Sequence, residues 1–464
     1  MCSPGFSGNF LPDLPKPPVR GPGKKDFSPA AWNYLQACGK ARELSTFYTP
    51  GESLTGQGFS LVFHRIHSPY YYDEYIDIYI IIILLLFEAR LIRMIFSMNS
   101  QDLLEGLNTV TRALAPRAAK QILEGILINA SGDRVQLTCS DGSLVIEYTN
   151  AADIKEEGQA VLPGKLFTEL IRKMPVGEVS VSVTDRRSAV IRCLKNRSSL
   201  AVMNADEYPE FQALETGSSV KIPQNKLREM ISRVSFAIAT DESRQILTGC
   251  LLEVSHTEAR LVALDGFRLA MQKLFQPFEL PEGVEVVKAI IPGKVINELS
   301  RILPDDDAFC NMLIDKNRMQ CTFGNIRMSS GLLAGEYIDY RRILPADFKT
   351  EARANRISVQ DAIDRASLMA REGKNNLIRM SFKDDVLKIT SNAELGEVEE
   401  EMDASLNGDP IEIAFNARYI TDVIRNVSDD NLCMKFNSNI SPCVVVPEKG
   451  DNYIYLILPV RVFQ

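Results

Sequence analysis

The chain has 464 residues, of which 45% are hydrophobic and 24% are charged. These proportions are ordinary for a protein with buried cores, and they exclude a largely disordered, collagen-like or disulfide-scaffold protein. Acidic residues outnumber basic residues by 60 to 52, for a net charge of -8, which argues against adhesion of the whole surface to nucleic acid.

The cysteine and histidine counts argue against a metal centre and against histidine-based catalysis. The nine cysteines include no CxxC pair, which indicates reduced thiols and a cytoplasmic protein without a structural zinc site. Only three histidines occur, His64, His67 and His256. A histidine-based catalytic triad or a histidine metal site is therefore not expected. We expect a non-enzymatic protein with no cofactor and no metal.

Residues 1–93 differ in composition from the rest of the chain. Met1 to Pro50 is rich in proline without an apolar period, which is typical of disorder, and an apolar run follows from Ile78 to Phe87. Ten residues are too few to span a bilayer, because a helix needs about 20 apolar residues to cross it. We expect 1–93 to be a non-native or disordered extension, with the working protein beginning at Met94; the alternative is a segment that associates with a membrane.

Beyond Met94 the chain repeats one unit three times. The strings VLPGKLFTELI (Val161 to Ile171), IIPGKVINELS (Ile290 to Ser300) and AFNARYITDVI (Ala414 to Ile424) recur at intervals of roughly 125 residues. A unit of that length can form its own hydrophobic core, so the repeat predicts three tandem domains. The predicted domains are 94–216, 217–345 and 346–464.

Each unit also contains an earlier amphipathic helix and several strands. The helix candidates are DLLEGLNTVTRAL from Asp102, NKLREMISRVSFAI from Asn225 and VQDAIDRASLMA from Val359. Alternating segments follow each of them, and Asp141-Gly142 and Asp265-Gly266 are typical of turns between strands. The predicted class is therefore α+β, with two helices packed on antiparallel sheet in each domain.

The second helix of each unit has one apolar stripe, which includes Leu166 in the first unit, and one face that reads cation, polar, acid, cation, with Thr168 as the polar residue of the first unit. For one helix, this face is typical of solvated residues with intrahelical ion pairs, but its threefold recurrence favours a function. The helices are net positive while the remaining chain from Met94 is acidic, which suits one surface facing a polyphosphate. Isolated cations address phosphates and not base edges, so the predicted contact is independent of sequence. The helix cations are Lys165, Arg172, Lys294, Arg301, Arg418 and Arg425.

From Met94 onward the chain resembles the beta subunit of bacterial DNA polymerase III, the ring-shaped sliding clamp. The resemblance rests on MIFSMNSQDLLEGL at Met94, NADEYPEF at Asn204, LDGFRLAM at Leu264, GEYIDYRRILP at Gly335, FNARYITDVI and the closing LILPVR. It implies three similar domains in each chain and a head-to-tail homodimer that closes a six-domain ring with the helices lining the hole. The implied partners are duplex DNA, the clamp loader, the replicative polymerase catalytic subunit, and other polymerases and repair proteins with clamp-binding motifs, with no membrane.

The resemblance also implies roles for individual residues. Arg117 and Arg244 match DNA-facing positions, and Leu200, Leu368 and Met369 match the subunit interface, where Ser198 replaces a large apolar residue. Leu264, Phe267 and Ile338 depart from residues that the family often has around its partner-peptide pocket. That pocket is implied at Leu247, Gly266, Phe267, Arg268, Leu269, Ile338, Arg342, Ile343, Asn416, Tyr419, Ile440, Leu456, Leu458, Pro459, Val460 and Arg461.

One further alternative remains at this stage. Acidic runs at Asp305 to Asp307 and Glu397 to Glu401 could hold metal ions in an enzyme acting on nucleic acid. Two-metal catalysis needs carboxylates that converge from separate elements, whereas consecutive acidic residues more often solvate a turn or an exposed strand. We therefore favour the clamp interpretation.

Overall fold

The computed structural model describes residues 93–115, 120–183, 188–373 and 376–461. These residues fold into three consecutive α+β domains with the same order of elements, except for one short extra strand in the first domain. In each domain the apolar residues recur with a period of two in the strands and of 3.6 in the two helices. Each helix buries its apolar side against sheet. The predicted fold class is confirmed, whereas the predicted extension 1–93 lies outside the described residues, apart from Arg93.

The first domain begins with a strand at Met94. A short strand follows β4 and has no counterpart at that place in the second domain. The elements are β1 (Met94–Asn99), α1 (Ser100–Val110), β2 (Gly125–Ser131), β3 (Arg134–Ser140), β4 (Leu144–Ala151), β5 (Asp153–Glu156), β6 (Gly158–Pro163), α2 (Gly164–Arg172), β7 (Glu178–Val183), β8 (Ser188–Cys193) and β9 (Asn196–Ala201).

The second domain repeats this order, and a 3-10 segment precedes β11. The elements are β10 (Ser218–Pro223), α3 (Gln224–Val234), β11 (Gly249–Ser255), β12 (Glu258–Leu264), β13 (Arg268–Phe275), β14 (Val286–Pro292), α4 (Gly293–Ile302), β15 (Phe309–Ile314), β16 (Arg318–Phe323) and β17 (Ile326–Gly331).

The third domain has the longest helix and the longest strand of the described residues. The elements are β18 (Thr350–Asn355), α5 (Arg356–Glu372), β19 (Leu377–Lys383), β20 (Val386–Ala393), β21 (Gly396–Asn407), β22 (Ile411–Asn416), α6 (Ala417–Asn426), β23 (Asn431–Phe436), β24 (Cys443–Val446) and β25 (Tyr453–Ile457).

Three antiparallel sheets connect these elements, and two of them cross domain boundaries. The strand orders are β5-β1-β7-β8-β9, then β10-β15-β16-β17-β4-β3-β2-β6, then β14-β11-β12-β13-β25-β24-β23-β18-β21-β20-β19-β22. Strand β17 pairs with β4 to join the first two domains, and β25 pairs with β13 to join the last two. Hydrogen-bonded ladders therefore run unbroken from one domain into the next.

The predicted turns and the predicted thiol state agree with the structure. Gly142 and Gly266 have φ of 96° and 91° in the turns β3–β4 and β12–β13, a region that glycine enters without a steric penalty. The seven described cysteines are free and buried. Burial raises the pKa of the Cys139 and Cys250 thiols well above the ordinary value, so these side chains act as small core residues.

Candidate DNA-facing helices, peptide groove and subunit edge

The second helix of each domain starts at a defined backbone position. Proline precedes α2 and α4, and the following glycine packs tightly: a Cβ on Gly293 would lie 2.7 Å from the Thr248 carbonyl oxygen. Helix α6 starts differently, because the Asn416 side chain accepts a hydrogen bond from the Arg418 amide at 3.0 Å. Each start leaves the first cation of the helix exposed, at Lys165, Lys294 and Arg418.

The six predicted helix cations are all exposed, but the polar and apolar faces of α2 are rotated from the prediction. Leu166, predicted in the buried stripe, is 57% exposed, whereas Thr168, predicted on the polar face, is 5% exposed. The reason is that α2 buries positions 164, 167, 168 and 171, which follow the 3.6-residue period more closely than the predicted stripe does.

Most of these cations already have acidic neighbours. Arg172 pairs with Glu169 in its own helix, and Arg301 pairs with Glu298 at 2.6 Å, as expected for intrahelical pairs. Two others pair outside their own helix: Lys294 with Asp141 of the first domain, and Arg425 with Asp364 of α5 at 3.1 Å. Within the described ranges, Lys165 and Arg418 form no ion pair, so their charge is the least compensated.

Asp141 shows how the turn and the neighbouring helix act on one carboxyl group. Burial alone would raise the pKa of Asp141, but Lys294 and the backbone amides of Leu144 and Ser143 donate hydrogen bonds and hold that pKa below its ordinary value. The carboxylate is thereby kept charged at a contact between the first two domains.

The two DNA-facing positions implied by the resemblance have different outcomes. Arg244 is exposed in the 3-10 segment Glu242–Thr248, next to the Asp241 carboxylate that caps this segment. Hydrogen bonds from the Ser243 hydroxyl and amide are the main cause that lowers the pKa of Asp241. Arg117 lies outside the described residues.

At the junction of the second and third domains, an aromatic pair forms one side of the predicted groove. The rings of Phe267 and Tyr419 stack with centres 5.5 Å apart. The Leu458 amide donates to the Phe267 carbonyl at 2.8 Å, and the Val460 amide donates to the Ala414 carbonyl at 2.8 Å. These bonds hold the chain after β25 beside the aromatic pair.

Arg268 is buried under this aromatic pair. Its guanidinium pairs with Asp265 at 3.0 Å and with Asp422 of α6, and it lies 4.8 Å from the Tyr419 ring centre and 5.3 Å from that of Phe236. Only 6% of the residue is exposed. The arginine therefore joins the two domains and orients Tyr419, and little of it is left to contact a ligand directly.

The predicted pocket residues divide into a buried floor and an exposed rim. Leu247, Leu269 and Leu456 are at most 2% exposed and belong to one apolar cluster. The apolar rim residues are between 36% and 62% exposed, a large apolar area for one region of surface. These rim residues are Phe267, Ile338, Ile343, Ile440 and Leu458.

The linker between the last two domains is tied to the buried cluster by a network that the sequence did not reveal. Tyr340 donates to Glu253 at 2.8 Å, and Arg341 donates to the same carboxylate at 2.6 Å. Burial would raise the pKa of Glu253, but these two partners and the nearby Lys288 ammonium together hold that pKa below its ordinary value. The flanking Ile338 and Ile343 are thereby held near the groove, while Arg342 is exposed beside Asp339.

The predicted subunit-interface residues lie in the first and the third domain. Leu368 is 56% exposed on α5, and Met369 beside it is half-buried. Leu200 on β9 is only 8% exposed, because it packs into the core of the first domain. The neighbouring Ser198 is half-buried.

The acidic runs do not converge on a shared point. Asp306 and Asp307 cap the turn after α4 through hydrogen bonds from Ala308 and Asn225, and Glu397 to Glu401 lies along β21. Across the described ranges no group of three potential metal-ligating side chains occurs. No described helix is long and apolar enough to cross a bilayer, and the apolar run Ile78 to Phe87 lies outside these residues.

Comparison with known proteins agrees with the threefold repeat. The DNA polymerase III beta subunit N-terminal, central and C-terminal domain families match residues 94–212, 221–339 and 341–461. The beta sliding clamp of Staphylococcus aureus strain Mu50 is 32% identical over 378 residues, which cover 79% of this chain and 99% of that protein.

Solved structures show the same fold. The DNA polymerase sliding clamp from Bacillus subtilis has a TM-score of 0.77 at 32% identity, covering 80% of this chain and 100% of that one. A Pseudomonas aeruginosa sliding clamp bound to griselimycin has a TM-score of 0.75 at 26% identity, with the same coverage. The chain therefore belongs to the DNA polymerase III beta subunit family, the beta sliding clamps.

Proposed function

We propose that two copies of this protein close head to tail into a ring around duplex DNA and tether the replicative polymerase there. The ring performs no chemistry itself, acts in the cytoplasm, and is opened by a clamp loader. Other polymerases and repair proteins bind to the same groove through short clamp-binding motifs. The names of the related proteins, DNA polymerase sliding clamps, support this proposal.

The arrangement of strands at the domain junctions carries the proposal for a ring. At the first junction β17, the last strand of the second domain, pairs with β4 of the first domain. At the second junction β25, the last strand of the third domain, pairs with β13 of the second domain. The equivalent strands for a third junction are β9 and β21. Among the described residues, strand β9 pairs only with β8, and residues 396–403 of β21 pair only with β20. One chain thus carries both halves of a third junction, and a second copy can complete it.

The two open edges have opposite charges on their outer faces. Arg192 and Arg197 are cross-strand neighbours on β8 and β9, and both are exposed. On β21, every second residue from Glu397 to Asp403 is exposed and acidic, including Glu399 and Glu401. A basic edge that meets an acidic edge favours head-to-tail pairing and disfavours pairing of like edges.

The helix cations suit a mobile contact with DNA. They are exposed, but most of them are partly neutralised by acidic neighbours, so each phosphate contact is weak. A closed ring remains on DNA by topology and does not need tight contacts. Weak contacts independent of sequence allow it to slide, and we assign this role to Lys165, Arg172, Arg244, Lys294, Arg301, Arg418 and Arg425, with Arg117 as a further expected contact.

The groove between the second and third domains suits a short peptide with apolar anchors. Its exposed aliphatic and aromatic rim surrounds a preformed apolar floor, which lowers the ordering cost of binding. The exposed Arg342 and Arg461 can orient polar groups of the peptide.

Retention on circular and linear DNA tests the central proposal. The full chain is loaded with a clamp loader onto nicked circular DNA, excess protein is removed by gel filtration, and half of the sample is then linearised by a restriction enzyme. We expect the protein to stay with the circle and to leave the linear form. Equal retention on both forms, or none on the circle, would overturn the proposal of a closed ring.

A further inference from the structure

The last strands of the three domains are equivalent residue by residue, because the strand ladders keep the same registers. Starting four residues before the first helix, the cross-strand partners in the first domain run from Phe96 across β7 and β8 to Ser198 on β9. The same path leads to Met328 on β17 in the second domain and to Tyr455 on β25 in the third. These three residues therefore occupy one position of the repeat.

The strands that receive the last strands align in the same way. Starting three residues before the second helix, the partners in the first domain run from Val161 across β2 and β3 to Glu147 on β4. The same path leads to Met271 on β13 in the second domain and to Glu399 on β21 in the third.

Both junctions within the chain use one register. The residue that precedes the position of Met328 or Tyr455 faces the position of Glu147 or Met271. The observed pairs are Arg327 with Glu147 at the first junction and Ile454 with Met271 at the second. The same register at the third junction places Arg197 of one copy opposite Glu399 of the other.

The first junction shows which contact this pair of positions can form. The Arg327 guanidinium pairs with Glu147 through two nitrogens, and its Nη2 lies 2.8 Å from Oε1. Glu147 also accepts a hydrogen bond from the Gln136 side chain of β3 at 2.7 Å. A glutamate at this position therefore holds one partner from its own domain and one from the next.

In a single chain, the corresponding residues at the open edges have only part of this contact. Glu399 pairs with Lys388 of β20, which occupies the position of Gln136, and the Glu399 side chain is 57% exposed. Arg197 is exposed and forms no ion pair with any residue that the structure describes. Arg192 lies beside it on β8, and an incoming carboxylate offsets the repulsion between these two cations.

We propose that β9 of each copy adds to β21 of the other with Ser198 opposite Val398, so that Arg197 pairs with Glu399 at both junctions between chains. This inference rests on the proposed head-to-tail dimer and specifies its strand register and one ion pair. Ser198 stands where Met328 and Tyr455 bury large side chains at the junctions within the chain. Less apolar area is therefore buried between chains, and the ion pair contributes a larger share of the contact.

A disulfide tests the register. The Thr149 amide donates to the Asn325 carbonyl at 2.9 Å, and hydrogen-bonded pairs alternate along the ladder from there. In that alternation Ser198 and Val398 form a pair without hydrogen bonds, with Cα atoms about 4.5 Å apart, which a disulfide can span. The full chain with Ser198→Cys and Val398→Cys should therefore form a covalent dimer on mild oxidation, seen in a non-reducing gel.

Two controls accompany the disulfide. Ser198→Cys with Glu400→Cys is two residues out of register and should link far less. The native chain, whose described cysteines are buried, gives the background. A stronger link through position 400 than through position 398 would overturn the register and the ion pair.

Alanine substitutions test the ion pair. Arg197→Ala and Glu399→Ala should each raise the dimer dissociation constant by about a hundredfold in sedimentation experiments, from about tenfold at each of two junctions. The double variant should dissociate about as readily as either single variant, because each has already lost the same contact. Arg318→Ala, at an exposed residue of the second domain, is the control and should leave dimerisation unchanged. Thermal unfolding shows whether each variant is folded.

The failures of this contact and of the ring can be distinguished. A link through position 398 combined with additive effects of the two alanine substitutions, or with no effect of either, would overturn the ion pair while leaving the ring intact. A native protein that is monomeric at high concentration would overturn both proposals.

Discussion

Arg268 of the second domain lies with its guanidinium carbon 4.8 Å from the ring centre of Tyr419 in the third domain. The same guanidinium pairs with Asp422, one turn further along α6. The residue that fixes the domain junction thus also fixes an aromatic side chain of the groove, and the shape of the groove depends on how the two domains are held.

Removing Asp422 should loosen this junction. In Asp422→Ala the buried Arg268 keeps Asp265 but loses its second carboxylate, so we expect the free energy of unfolding to fall by about 2 kcal/mol. Chemical denaturation measures this change. Asp133→Ala, at a side chain that is 90% exposed, is the control and should have almost no effect. Equal stabilities for the two variants would contradict a role of Asp422 at the junction.

The aromatic rim should matter for peptides. In Phe267→Ala the exposed half of the stacked pair is lost, and we expect the affinity for a labelled clamp-binding peptide to fall by about tenfold to a hundredfold in fluorescence anisotropy. Phe275→Ala removes a ring of similar exposure, 54%, from the far end of β13, the strand that follows Phe267. That variant should bind the peptide normally. If the two variants weaken binding equally, the assignment of Phe267 to the peptide groove is wrong.

The two least compensated helix cations should contribute most to DNA binding. Lys165→Ala and Arg418→Ala should each reduce the slope of log affinity against log salt for a short linear duplex by about 2, because a dimer loses two phosphate contacts. Anisotropy titrations at several salt concentrations measure the slope. Lys316→Ala, in an exposed turn between β15 and β16, should leave the slope unchanged.

Leu368 should hold the two copies together without supporting the fold of either. Since its side chain is 56% exposed in one chain, Leu368→Asp should leave thermal unfolding of the chain almost unchanged while raising the dimer dissociation constant by at least about a hundredfold. Light scattering over a range of concentrations reports the mass. Ile357→Asp changes a side chain of 57% exposure on the first turn of the same helix and should remain dimeric.

Acid should weaken both the Asp141 contact between the first two domains and the Glu253 network of the linker. The pKa values of Asp141 and Glu253 are lowered in the folded protein, so the unfolded chain binds more protons and stability decreases as the pH falls. The contribution is fully present above the ordinary values of 3.8 and 4.5 and is lost as the pH falls through the lower folded values. Unfolding midpoints between pH 6 and pH 3 should drop less in Asp141→Asn than in the native protein.

The repeat made much of this architecture predictable. Helical and strand periods recur three times, and the Asp-Gly pairs at 141 and 265 mark the turns that glycine requires. The rotation of α2 was not predictable from the apolar letters alone, since Leu166 and Thr168 exchange the expected environments when the helix meets its sheet. Local pattern fixes the elements, whereas packing fixes which side of a short helix is buried.

The candidate site was predicted as a set of positions but not as a geometry. The sequence does not distinguish the buried pocket residues from the exposed ones. The buried floor is formed by Leu247, Leu269 and Leu456, whereas Phe267 and Ile440 are exposed. Contacts such as Arg112–Glu298 join residues far apart in the chain, and no spacing rule reveals them.

The different edges of β9 and β21 also determine what assemblies are possible. A contact between two unlike surfaces is heterologous, and such contacts build a closed ring only when the turn made by each chain adds up to a full circle. The β4–β17 and β13–β25 ladders set that turn. A substitution that changed the angle at either ladder would leave the edges able to pair but prevent closure, and the copies would then add one after another into an open filament.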